Sequence, residues 1–171
     1  MTFGRPGEGG VLDWQGGKVA KEKTITMSKQ DEGSLILKLY ELRREETMRK
    51  ARNWYFSEFN PESIADFSAA MFGEHSGHLR MVTTYWDMAA ALVNQGAISM
   101  EMFNAANGEH IGVFSKIEPL LKEIRAGFAP EYLQQFEKLI DAMPDGRKRT
   151  AEARERMKKF REQIAKATAQ A

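Results

Sequence analysis

The chain contains no cysteine, which excludes disulfides, thiol catalysis and thiolate metal sites together. Long apolar runs are absent too, and nothing approaches the roughly 20 residues that a bilayer-crossing helix needs. The N-terminus has no basic segment followed by an apolar stretch, so no signal peptide is expected and the cytoplasm is the expected compartment. Net charge is small, +1 over 171 residues, so the molecule as a whole is not built to hold a polyanion. No sustained strand alternation and no repeat at a fixed period occurs.

What is present is the composition of an ordinary globular domain, with 42% hydrophobic and 29% charged residues. The length suits one domain with a sizeable core. Residues 1–33 differ from the rest. Six of the fourteen glycines fall in the first 17 positions, and apolar residues are sparse before Leu35. Such a segment buries too little surface to offset its ordering entropy, and a flexible arm is expected there. Val11, Leu12 and Trp14 form a small apolar knot inside it. Trp14 either folds back onto the domain's own surface or anchors in a partner's pocket.

From Ser34 to Thr168 the pattern is helical, and the expectation is all-α: a bundle of five or six mainly antiparallel helices. A long first helix is expected from a cap between Asp31 and Ser34 as far as Phe59, with Leu35, Leu39, Leu42, Met48, Ala51 and Tyr55 inward. Asn60-Pro61-Glu62 reads as cap, N1 and first-turn acid of the next helix. Tyr85, Met88, Ala89, Leu92 and Val93 mark a buried helix that Gly96 terminates, and Ser99 caps its successor. Gly108 interrupts that successor, and Pro119 kinks or restarts it. Ala129-Pro130-Glu131 opens a further helix with Pro at N1. The last helix, about residues 150–168, is mostly charged.

Candidate chemistry is sparse. His75 and His78 have the one-turn spacing of helix-borne metal ligands, but no HExxH accompanies them, and exposed side chains at a helix start are the simpler reading. His110, beside Glu109, reads as surface or cap. No Gly-x-Ser-x-Gly elbow or P-loop occurs. Asp87 is the one acid in a mainly apolar stretch; if buried, it pairs with a cation such as Arg80 or Arg125 or has a raised pKa. No catalytic residue, cofactor, metal or small-molecule ligand is therefore expected.

The charge that exists is uneven. Between Pro144 and Ala171, nine lysines and arginines face four acids. Within that tail Ala153, Met157, Phe160, Ile164 and Ala167 are spaced 4, 3, 4 and 3, a narrow apolar seam suited to one docking contact, within the molecule or with a copy of it.

Tyr85-Trp86-Asp87, Ala90-Ala91-Leu92-Val93, Gly96-Ala97-Ile98-Ser99, Phe103, Ile117-Glu118-Pro119, Arg125, Tyr132 and Phe136 together resemble a family of uncharacterised bacterial helical domains. The resemblance covers about residues 35–142 and implies the helical fold but no activity. Family members often carry an N-terminal apolar anchor, where this chain has its glycine-rich arm. The functional expectation is a non-enzymatic interaction or accessory-subunit protein, with Trp14, Met157, Phe160 and Ile164 as partner-binding residues. Nucleic-acid or anionic-surface binding through the basic tail is the alternative. A metalloprotein or enzyme using His75 and His78 is the third.

Overall fold

The computed structural model describes residues 28–127 and 129–169, so Trp14 lies outside the described residues. Every regular element among them is helical. Helical segments outnumber the five or six expected, because several expected helices divide.

Helix α1 (Lys29–Arg44) starts ahead of Asp31, through a reciprocal cap in which Ser28 Oγ accepts from the Asp31 amide and Asp31 accepts from that of Ser28. The long first helix then breaks at Glu45, whose backbone is extended and whose carboxylate caps α2 (Glu46–Ser57) at the Met48 amide, 2.9 Å away. The break has a geometric cause. Leu39 and Met48 are both buried, yet nine residues on a continuous helix span about two and a half turns and would face them oppositely. Dividing the helix turns both inward.

Asn60 does not cap the next helix either. Helix α3 (Ile64–Phe72) is capped by Ser63, with Asp66 reciprocating. Then comes α4 (Ser76–Asn94), the centre of the fold, with Leu79, Val82, Thr83, Trp86, Ala89 and Ala90 fully buried. It packs most heavily against α8 (Gln134–Ala142) and α2, then α3. The Tyr85 hydroxyl donates to the Leu39 carbonyl at 2.7 Å, fastening α4 to α1. Gly96 ends the helix at φ +77°, as its sequence context predicts. Ser99 caps α5 (Met100–Ala106) and is held in place by Glu32, which accepts from its hydroxyl and its amide.

Gly108 precedes α6 (Glu109–Ile117); Pro119 sits in a single 3-10 turn, Glu118–Leu120, leading into α7 (Leu121–Gly127). Helix α8 (Gln134–Ala142) begins later than Pro130 implies, because Leu133 is buried in a left-handed conformation at φ +53° and cannot cap. Asp87 does so from α4. Its Oδ1 accepts from the Phe136 amide at 2.8 Å, while Asn94 Nδ2 donates to the Gln135 carbonyl at 2.9 Å. Burial raises the Asp87 pKa, and the Phe136 and Gln135 amides and the Arg125 charge oppose the rise. Helix α9 (Gly146–Ala169) starts so tightly against α8 that a Cβ on Gly146 would lie 1.9 Å from the Ile140 carbonyl oxygen.

Asp87→Ala is expected to destabilise the domain by about 1–2 kcal/mol, the upper part of the helix-cap range, because the stranded amide is partly buried. Asp87→Asn, which keeps an acceptor oxygen, should lose less. Urea denaturation measures both, and equal losses would remove the cap as the explanation.

Candidate partner-binding surface

Helix α9 is two things in succession. Its first turns lie against α6 and α8, with Gly146, Thr150 and Ala153 buried. Arg147 is bound by Asp141, Glu137 and Glu118, which hold its pKa well above the usual value. Arg154 donates to the Ser115 carbonyl at 2.8 Å and pairs with Glu118. Part of the basic tail is thus fastening for the helix itself.

Met157 is half-buried and separates two clefts. One lies along Phe56, Gly112, Arg149 and Arg156. The other, about 290 Å³, is lined by Asn60, Pro119, Leu120, Lys158 and Arg161 among others, with Glu62 and Glu155 also present. Beyond Met157 the apolar seam runs off the body of the molecule. Phe160 is 63% and Ile164 51% exposed, and every residue from Glu162 to Ala169 is exposed. The three expected contact residues on α9 therefore share one helix face, with Met157 half-buried between the clefts and Phe160 and Ile164 exposed.

Under this helix lies a group that the sequence reading missed. Lys116 is buried at the end of α6, and its Nζ donates to the carbonyls of Tyr55 (2.8 Å), Phe59 (2.7 Å) and Phe56 (3.3 Å) and to Asn60 Oδ1 (3.0 Å). It closes the C-terminal end of α2, where helix carbonyls lack partners and a cation is favoured. Burial draws its pKa down to about 7, and the nearby Arg161 charge adds to this. Four oxygens thus lie within hydrogen-bond reach of the amine, which serves as a cap for the end of α2. Asn60 Oδ1 also accepts from Arg161 Nη1 at 2.9 Å, which joins α2, α6 and α9 at one point. The available signal was a lysine between the apolar Phe114 and Ile117 at the end of α6.

The histidines depart from expectation. His110 is fully buried, not on the surface, because α6 begins at Glu109 and turns it toward Phe103 (5.1 Å between ring centres) and Trp86 (5.7 Å). Neither ring nitrogen has a hydrogen-bond partner among the described residues. Burial, with a contribution from Arg149, lowers its pKa to about 4. His75 and His78 are half-buried rather than exposed, stacked on each other and with His75 on Trp54 at 4.8 Å. Among the described residues no three histidine or acid side chains gather in a way that could hold a metal.

A family model described as a domain of unknown function, DUF4760, matches residues 31–143. The chain belongs to the DUF4760 family. The matched span agrees with the resemblance read over residues 35–142, and it takes in α1 through α8 with the Asp87 cap, Lys116 and His110. Helix α9 lies beyond the DUF4760 match, so the exposed seam is carried by a segment outside the family region. Comparison with curated proteins and with solved structures gave no match. Among the described residues no helix is long and apolar enough to cross a membrane.

His110 gives the DUF4760 domain a pH signature. Its folded pKa, about 4, lies below the unfolded value near 6.5. The unfolded chain therefore takes up a proton that the folded one resists. Stability should be full above about pH 6.5 and fall as pH drops toward 4, by on the order of 3 kcal/mol if the whole shift is expressed. His110→Leu should flatten that part of the profile and be the more stable protein at pH 5. Denaturation midpoints from pH 4 to 8 test it; an unchanged slope in the variant would refute the assignment.

Proposed function

We propose that this chain is a non-enzymatic protein-interaction domain, an accessory subunit or scaffold within a larger assembly, that meets its partner through the outer half of α9. The observation that carries the reading is the seam itself. One apolar stripe is docked at Ala153 and continues outward through the half-buried Met157 to the exposed Phe160 and Ile164. Large apolar side chains in line on an exposed helix are poorly accounted for by solubility or by folding of the domain. Trp14 remains a second proposed contact, outside the described residues.

The anionic-ligand reading has less support. Arg147 and Arg154 are paired with acids, and Glu62 and Glu155 line the cleft that holds Lys158 and Arg161. An enzymatic reading has less still, because Lys116 is surrounded by acceptors.

Native mass spectrometry of the untagged protein, isolated gently at low salt from its own cells, tests the proposal. Companion subunits are expected with the 19.4 kDa chain, and Phe160→Glu with Ile164→Glu should release them while leaving the thermal melting transition unchanged. A chain that flies alone, or companions that survive both substitutions, would overturn the proposed surface.

A further inference from the structure

The outer half of α9 carries information about what covers it. The spacing of Met157, Phe160, Ile164 and Ala167 is that of a and d positions, the pattern by which one helix receives another. From Met157 to Ala169 the helix offers a track of about 18 Å at 1.5 Å per residue, enough for three turns of a partner helix. The occupant is therefore expected to be helical.

Charge then separates the two helices that could lie there. With Met157 and Ile164 at a and Phe160 and Ala167 at d, the positions flanking the seam are Arg154, Arg161 and Thr168 on one side and Arg156 and Gln163 on the other. None is an acid. The acids Glu155 and Glu162 recur seven residues apart on the face opposite the seam. Of the flanking arginines, Arg154 is paired with Glu118. Arg156 lies 3.8 Å from Glu152 across an exposed gap, a pair of little strength, and Arg161 gives one of its nitrogens to Asn60.

A second copy of this chain would bring like charges together in either orientation. Parallel pairing sets one flank against the other, and antiparallel pairing sets each flank against itself. In both cases arginine meets arginine or a neutral residue, and flanking charges of this kind select partners in paired helices. Two short heptads of apolar contact are a small stake against that repulsion. An acidic helix has the opposite fit: its apolar face covers Phe160 and Ile164 while its flanking carboxylates meet Arg156 and Arg161. Lys158 and Arg161, at the rim of the cleft beside Pro119 and Leu120, extend the same basic border.

We propose that the outer half of α9 receives an acidic amphipathic helix of a different protein, seated on Met157, Phe160 and Ile164 and oriented by Arg156 and Arg161. This rests on the reading of that surface as the contact site, and adds the chemistry of the partner.

The test uses the full chain and two synthetic three-heptad peptides with leucine at a and d, one with glutamate and one with lysine at the flanking positions. Fluorescence anisotropy should give the glutamate peptide an affinity at least roughly tenfold above the lysine peptide, a difference of about 1.4 kcal/mol. The preference should shrink in high salt. Phe160→Ala with Ile164→Ala should abolish binding, and Arg156→Gln with Arg161→Gln should erase the preference while leaving residual binding. Thermal melting of each variant monitors the fold. Equal affinities for the two peptides that still depend on Phe160 and Ile164 would overturn the acidic partner and leave the surface standing. So would a dimer in sedimentation velocity that the alanine pair dissolves. Binding of neither peptide, with the chain monomeric, would overturn the surface and the partner together.

Discussion

The carboxylate of Asp87 supplies to α8 a cap that α8 cannot make for itself. Leu133, the residue preceding that helix, is buried and left-handed, so it fills the core but offers no acceptor to the first amides. Asp87 reaches across from α4 and takes the Phe136 amide, and Asn94, about two turns further along α4, holds the Gln135 carbonyl. Two polar side chains on the central helix thereby fix the start and direction of its most closely packed neighbour. The consequences pass outward. Glu137, on α8, pairs with both Arg125 and Arg147, and Arg147 fastens the root of α9. The place where the outer half of α9 emerges is thus traceable to a cap in the core.

A second theme is how side chains reach backbone carbonyls of other elements, beside the serine caps of α1, α3 and α5. Burying an unpaired carbonyl or amide costs free energy comparable to a lost hydrogen bond, and Lys116 prevents it at the end of α2. The Tyr55 hydroxyl meets the Val113 carbonyl, Tyr85 meets Leu39, Lys116 gathers the carbonyls at the end of α2, and Arg125 donates to Tyr132. Each joins elements that are also packed through apolar contact, so the bonds add direction to an attraction that has none of its own. His110, like the indole nitrogen of Trp86, departs from this among the described residues. It is buried like an apolar residue and stays neutral, held by Trp86 and Phe103 rather than by polar partners.

The basic tail illustrates why net charge is a poor guide to function. Its arginines divide into those that meet acids of α8 and the 3-10 turn and those that border an exposed apolar stripe. The first set is fastening. The second surrounds apolar side chains, and on it the proposal of a helical protein partner rests.

The amino-acid sequence by itself determined that the described residues are mainly helical, where the α4 helix stops, and that α9 carries one narrow apolar seam. These depend on local terms: side-chain spacing along a 3.6-residue helix, the freedom of Gly96 at positive φ, and the hydroxyl of Ser99 beside its own amides. Family membership was legible for the same reason, through residues of the central hairpin. Only the tertiary structure decided which caps are used, that the first helix divides, and that His110 and Lys116 are interior. Asn60 and Pro130 have the local chemistry of helix starts, yet Asn60 is drawn to Lys116 and Arg161, and the helix after Pro130 waits for Asp87. The break at Glu45 exists because Leu39 and Met48 must face the same core. In each case the deciding partner is distant in the chain, and a distant partner leaves no mark on local spacing.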